Sequence, residues 1–293
     1  MAESLSACLL LDSPLVRVWD AICREPRAGY GELKAASEAQ VGLLRRGAYV
    51  VERWGQPVVV DTNTVLALGI DDEYRVGHPT SDGDEGIVLV IPPDLLEDAV
   101  GGAGRVGRLR PIDHLAICFL TRALHKRDNE TLAAEEATLL LLASLARSFA
   151  HPLNANHRLG RAQRLRVEQA RTLLASSPRT RWDLDGLGRA LRCSPFHLAR
   201  QFRLLTGETI SRYLLRLRLA IAVERLAQGE RDISALAIGI GFSHHSHLSA
   251  RFRDTFGITP SQARKTLTTG NVAELRALID ADELSRTAGG ARS

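Results

Sequence analysis

The chain of 293 residues contains only four cysteines, Cys8, Cys23, Cys118 and Cys193. They stand singly, with neither a CxxC pair nor a disulfide framework, which fits buried thiols in a reducing cytoplasm and speaks against a secreted, cross-linked fold. A redox-responsive regulator stays open as an alternative reading of these thiols. Long hydrophobic runs are also missing. The longest, around Leu139 to Ala146, falls far short of the ~20 residues needed to cross a bilayer, and no basic segment precedes the apolar stretch at the N-terminus, so no membrane span or secretory leader is expected. The first half holds His78, His114, His125, His151 and His157 but no HxH pair, which argues against oxygenase-type metal chemistry. His78, directly before Pro79, reads as a structural turn residue. No nucleophile, acid–base or metal constellation emerges anywhere, so neither an enzyme nor a cofactor is expected.

What is present is concentrated in the second half. Between Gly160 and Thr268 there are 19 Lys and Arg against 8 Asp and Glu, whereas residues 1–159 carry 16 against 22. The net charge of +4 therefore hides a basic half joined to an acidic one, and a basic domain of this size favours a polyanion. The same half contains a repeat. LDGLGRALRCSPFHLARQF sets Leu184, Leu187 and Leu191 on one helical face, then a break, then a helix opened by Ser194 and Pro195. ISALAIGIGFSHHSHLSARF repeats the design with Ile233, Leu236, Ile240, Gly241 and Phe242 before a helix carrying Leu248 and Phe252. Gly241 suits the positive φ of the turn between paired helices, where the first copy has Arg192. Ser194 and Ser243 are candidate N-caps. FRLLTGET and FRDTFGITP close the copies, with Phe202 and Phe252 as core anchors and Gly207 and Gly257 as left-handed C-caps. Two helix-turn-helix units imply two recognition helices on one chain, with double-stranded DNA as the partner.

The stretch SPFHLARQFRLLTGETISRYLLRLRLAIAVERLA, followed by ISALAIGIGFSHHSHLSARFRDTFGITPSQAR, resembles the DNA-binding domain of the AraC/XylS family of bacterial transcription regulators. The resemblance covers Leu184 to Arg264. It implies two helix-turn-helix units joined by a long helix, here Ile210 to Leu226, RNA polymerase as a further partner, and activation more readily than repression. The long helix also reads well by itself: Tyr213, Leu214, Leu217, Ile221 and Leu226 make an apolar stripe, with Arg212, Arg216, Arg218 and Arg225 largely elsewhere. Such a spacer lets one monomer address successive major grooves, about 34 Å apart.

Helix phase selects the DNA-facing candidates. Behind the cap Ser194 these are Phe196, His197, Ala199, Arg200 and Arg203, with Arg200 placed for a bidentate contact to a guanine edge and Arg203 nearer a phosphate. In the second unit, His244, His245, Ser246 and Ser249 occupy the opening turn. The family often has a base-reading arginine two residues before the second phenylalanine, and here that position is Ala250; Arg251 points about 100° away and, like Arg253, suits phosphate. His244, His245 and His247 also invite a metal reading, but no Cys or carboxylate lies close enough in sequence to complete a site, and no metal is expected.

The first half alternates apolar and polar residues from Gly42 to Asp61, with TVLALGI, EYRV and EGIVLVIPP as further short strands up to Pro93. This suggests a small antiparallel barrel or sandwich, and together with the C-terminal resemblance it is similar to the cupin-like sensory domain of AraC-type regulators. Such a domain would bind a small-molecule effector in its apolar mouth; Tyr49, Trp54, Tyr74, Arg75 and His78 are the candidate lining residues. Ile112–Lys126 and Leu132–Phe149 read as amphipathic helices. The first carries a stripe of Ile112, Leu115, Ala116, Phe119 and Ala123, and the second is apolar all round at Leu139 to Leu142, favouring a homodimer formed through it. The expected architecture is α+β and multidomain: an effector-sensing domain at 1–110, a helical dimerisation segment at 111–150, a linker at 151–163, an all-α tandem helix-turn-helix domain at 164–268 and a tail at 269–293. In the tail VAELRALIDADELSR forms an appended helix and TAGGARS is disordered. An architectural DNA-binding protein without ligand sensing is the alternative, though it leaves the acidic half without a task.

Overall fold

The computed structural model describes residues 5–290, apart from 25–28, 54, 80–82, 103, 127–130, 150–152, 154–158 and 270–271. Among the described residues, the first half contains strands β1 (Leu5–Asp12), β2 (Arg17–Cys23), β3 (Lys34–Ala35), β4 (Gln40–Arg46), β5 (Ala48–Arg53), β6 (Gln56–Asp61), β7 (Thr64–Leu68), β8 (Glu73–Gly77), β9 (Asp84–Val90) and β10 (Arg105–Arg108), with helix α1 (Pro93–Val100) between the last two. The expected strands from Gly42 to Pro93 are present as β4 to β9. Outside that span, the apolar stretch near the N-terminus is β1, paired antiparallel with β2.

The strands form two sheets, in the orders β1-β2-β9-β4-β7-β10 and β3-β8-β5-β6. Alternation along each strand assigns the faces. Val41 and Leu43 of β4, Val65 and Ala67 of β7, and Ile87 and Leu89 of β9 join the core shared with the helices. Leu66 and Leu68 of β7 and Val106 of β10 instead meet Val51 of β5 and Val60 of β6 across the gap between sheets. The result is a sandwich. The closed barrel is not formed, because the ladder breaks between β6 and β7. There a tight corner sends the chain from one sheet to the other: the Asn63 amide donates to Asp61 Oδ1 (2.8 Å), and Thr64 Oγ1 donates to the Asp61 carbonyl (3.0 Å).

Helix α2 (Pro111–His125) and helix α3 (Thr131–Leu145), followed by one 3-10 turn (Ala146–Phe149), lie close to the expected spans. The predicted stripe of α2 is buried throughout, but so are His114, Ile117, Cys118 and Leu120 on its other sides. This helix is enclosed by β4, α3 and helices of the second half. The all-round apolar character of α3 is largely used within the chain as well, with Leu141, Leu142 and Leu145 buried against α1, α2 and the last helix.

The second half consists of helices α4 (Arg161–Ser176), α5 (Leu184–Ala190), α6 (Pro195–Thr206), α7 (Ile210–Ala227), α8 (Ile233–Gly239), α9 (His245–Phe256), α10 (Pro260–Thr269) and α11 (Val272–Gly290). α4 already begins inside the expected linker. α11 runs through residues 287–290, expected to be disordered, while 291–293 lie outside the described residues. Leu275 and Ile279 seat α11 on the core it shares with α2 and α3, so the tail belongs to the packed body. Among the described residues no helix is long and apolar enough to cross a membrane.

Candidate nucleic-acid interface

Two helix pairs, α5–α6 and α8–α9, are built by the same local rules. Asp183 caps α5 by accepting from the Gly186 amide (2.5 Å), and Asp232 caps α8 by accepting from the Ala235 amide (2.8 Å). These matching caps went unnoticed in the sequence, although a shared Asp three residues before each helix's second turn was the available signal. The turn residues both adopt positive φ, 91° at Gly241 and 51° at Arg192. Arg192 therefore holds the left-handed conformation despite its side chain. Gly207 and Gly257 end the recognition helices in left-handed geometry, as expected.

The entrances to the recognition helices differ. Ser194 takes the N-cap position of α6 without a side-chain cap hydrogen bond. In the second unit the cap is not Ser243 but His244, whose Nδ1 accepts from the His247 amide (3.2 Å). One extra residue separates Gly241 from its cap compared with Arg192 from Ser194, and this moves the cap from serine to histidine. His247 turns its ring edge-on against Phe242 and lies 3.2 Å from the Ser243 hydroxyl. The histidine cluster is thus engaged in shaping a helix start, and His244 keeps only Nε2 for an outside partner.

Phe202 and Phe252 are completely buried and anchor the two recognition helices, with Leu198 and Leu248 beside them. The opposite faces are open. Ser194, Phe196, His197, Arg200 and Arg203 of the first unit are exposed and Ala199 is half-buried; in the second, His244, His245, Ser246, Arg251 and Arg253 are exposed and Ser249 is half-buried. Phe196 is 72 % exposed, a large apolar group at a helix start with no role in the core. His197 and Arg200 border a cleft of about 250 Å³ that Gln163 of α4 and Leu159 also line. Leu184, set on the same helical face as Leu187 by the sequence, is 42 % exposed, and α5 contributes mainly through Leu187.

Residues 187–266 fit the family described as a helix-turn-helix domain. A Streptomyces lividans protein described as an AraC-like transcription regulator is 28% identical over 277 residues, covering 87% of this chain and 88% of that protein. The transcriptional activator RhaR of Salmonella dublin is 30% identical over 141 residues, 48% of this chain and 50% of its own. The chain thus spans about half the length of RhaR. The region from 187 to 266 is a helix-turn-helix domain of the type carried by AraC-like transcription regulators. Its relatives are named as regulators and not as enzymes. Among solved structures, ToxT from Vibrio cholerae O395 aligns at 12% identity over 91% of this chain and 99% of that chain, with a TM-score of 0.34.

The helix-turn-helix half is clamped to the sandwich by buried charges that sequence reading did not single out. β6 is an edge strand, and at Val59 its peptide groups are taken up by α4: the amide donates to Glu168 Oε2 (2.8 Å), and Arg171 donates to the carbonyl (2.7 Å). Glu168 and Arg171 bind each other (2.8 Å), and Arg171 Nε donates to the Tyr213 hydroxyl (2.9 Å). Tyr213 in turn donates to Asp61 of the sandwich corner, and Asn63 donates to the Tyr213 carbonyl (3.2 Å). Burial pushes the Glu168 carboxyl up, against the pull of Arg171, and raises the Tyr213 hydroxyl far above its ordinary range. A second chain of contacts ties Asp20 to Arg45 (2.5 Å), Arg45 to Glu224 of α7 (3.3 Å), and Cys118 of α2 to Glu224 (3.3 Å). No pattern in the sequence marks these residues, since charged positions on a helix normally signal a solvated face.

The predicted effector residues divide. Tyr49 is half-buried against the core between the sheets, where burial first and Asp84 second raise its hydroxyl. Tyr74 packs beside it on the same core, whereas Arg75, next along β8, is exposed on the other face. Trp54 lies outside the described residues, as do His151 and His157. His78 is not a simple turn residue. It is buried, with Nδ1 2.9 Å from Asp84 Oδ2 and Nε2 3.6 Å from Cys23 Sγ.

Proposed function

We propose that this regulator reads a bipartite DNA site, with α6 and α9 entering successive major grooves about one helical turn apart. The observation that carries the proposal is the pair of outward faces on opposite sides of buried Phe202 and Phe252, joined by the long helix α7. Arg200 reads a guanine edge in the first unit. Arg203, Arg251 and Arg253 hold phosphates. The second unit reads bases through His245, Ser246, Ser249 and the remaining nitrogen of His244, since Ala250 offers no donor.

A small-molecule effector acts on the sandwich near Tyr49, Tyr74 and His78, and its binding favours one arrangement of the two halves over another through the Glu168–Arg171 and Arg45–Glu224 contacts. Only an effector that binds the two arrangements unequally can do this. Activation with RNA polymerase is the outcome that the family resemblance favours. A homodimer forms through the part of α3 that the chain leaves open: Leu132 is 73 % exposed and lies with Leu15, Leu139 and Leu140 along one apolar groove.

Selection of bound sequences from a random DNA pool with the full-length protein tests the reading. Two conserved half-sites about one helical turn apart are expected. Sequence-indifferent binding that simply weakens with salt, from both the full chain and residues 160–293, would make the protein an architectural binder.

A further inference from the structure

Cys23, His78 and Asp84 come from three separate strands or strand ends and meet inside the sandwich. Cys23 closes β2, and Asp84 opens β9 directly opposite it in the antiparallel register. His78 follows the last residue of β8, in the other sheet. All three are buried, Cys23 at 9 %, His78 at 7 % and Asp84 at 8 % exposure. The position is tightly built. Gly47 and Gly83 hold φ of 82° and 72°, and a Cβ on either would collide with backbone, that of Gly83 with the carbonyl oxygen of Cys23 itself.

The hydrogen bonds have a direction. Asp84 Oδ2 stands 2.9 Å from His78 Nδ1, so the carboxylate fixes the proton on that nitrogen and leaves Nε2 as an acceptor. Nε2 lies 3.6 Å from Cys23 Sγ, in the position to take the thiol proton. A thiol facing a base that a carboxylate orients is the arrangement that activates a sulfur nucleophile. Among the described residues, Tyr49 on β5 also faces Asp84, and burial first and Asp84 second hold its hydroxyl neutral. That hydroxyl adds no charge beside the thiol and imidazole.

We infer that Cys23 is an activated thiolate, with His78 as proton acceptor and Asp84 as positioning residue, and that it is a site of covalent modification by small hydroperoxides. The thiolate attacks one peroxide oxygen. The S–O bond forms as the O–O bond breaks, and the departing alkoxide or hydroxide takes the proton from the His78 imidazolium, leaving a sulfenic acid and an alcohol or water. Because the three residues join the two sheets, oxidation adds an oxygen where the sheets are pinned together. The site adjoins the tyrosines assigned above to the effector, but it stands whether or not that assignment holds.

The test is alkylation of the intact protein with iodoacetamide across pH 5.5–9, followed by mass spectrometry at each cysteine, beside an unstructured cysteine peptide. At pH 6 Cys23 is expected to react about tenfold or more faster than the peptide, whose thiol is nearly all protonated there. Asp84→Asn is expected to remove most of that advantage, and hydrogen peroxide followed by a sulfenic-acid trapping reagent is expected to label Cys23. A Cys23 rate that follows the peptide's pH profile would overturn the inference, and so would a Cys23 left unmodified after exposed Cys8 has reacted fully. Retention of one zinc ion per chain that blocks alkylation until a chelator is added would also overturn it, making the cluster a metal site. The wild-type pH profile decides the matter even if Asp84→Asn fails to fold.

Discussion

At the scale of single residues, exposure separates readers from supports. Arg200 is open to solvent on a helix whose other face is locked by Phe202, so Arg200→Ala should cost about 1–3 kcal/mol and relax preference at one base pair. A base-by-base affinity profile unchanged by that substitution would remove the assignment. Arg253→Ala should instead weaken all sequences alike and reduce the salt slope by about 1. His114 makes a different prediction. Burial lowers its pKa to about 4, with Arg45 and Arg216 adding to the effect and the carbonyls of Ala220 and Leu44 resisting it. The unfolded chain, with an ordinary histidine pKa near 6.5, takes the proton first. Stability from this group is therefore complete above about pH 6.5 and declines toward pH 4, by an amount on the order of 3 kcal/mol. Urea titrations between pH 7 and pH 4.5 should show that slope in the wild type and a shallower one in His114→Leu.

Among the elements, the helix-turn-helix units were legible because every local signal agreed. Gly241, Gly207 and Gly257 occupy the positive-φ positions, and Phe202 and Phe252 the core, that their residue types suggest. Even the departure at Arg192 was visible, since the repeat shows which position must turn. The cap of α9 was not, because a one-residue insertion shifts it from Ser243 to His244 without disturbing the apolar spacing. α4 was the least legible helix. Glu168 and Arg171 appear as a solvated pair, yet together they cover the edge strand β6, which would otherwise present unpaired peptide groups. Removing one partner leaves the other charged and buried, so Arg171→Ala should destabilise the chain by about 3–5 kcal/mol. The Glu168→Gln, Arg171→Met double variant should cost less than Arg171→Ala alone. Equal losses in chemical denaturation would mean that the pair acts only by filling space.

For the molecule as a whole, the acidic and basic halves are packed into one body around α2. Among the described residues, Leu15, Leu132, Leu139 and Leu140 border one open groove, together with Glu135 and Glu136, and this is the surface proposed for a second copy. Leu132→Asp should shift the sedimentation of the protein from dimer toward monomer at micromolar concentration while leaving the thermal midpoint nearly unchanged, because Leu132 contributes little to the interior. A wild-type chain that already sediments as a monomer would discard this surface.

The sequence by itself determined the tandem helix-turn-helix domain, its two exposed second helices, their caps of glycine and their phenylalanine anchors, since each depends on neighbours within a few residues or on a repeat. It also carried the charge division that points to DNA. The tertiary structure alone decided that the strands form an open sandwich, that α2 is an interior helix, that Glu168, Arg171 and Tyr213 clamp the halves together, and that Cys23, His78 and Asp84 meet. Those outcomes rest on contacts between residues far apart in the chain, where the energy of burying a charge or a thiol depends on partners that no local pattern announces.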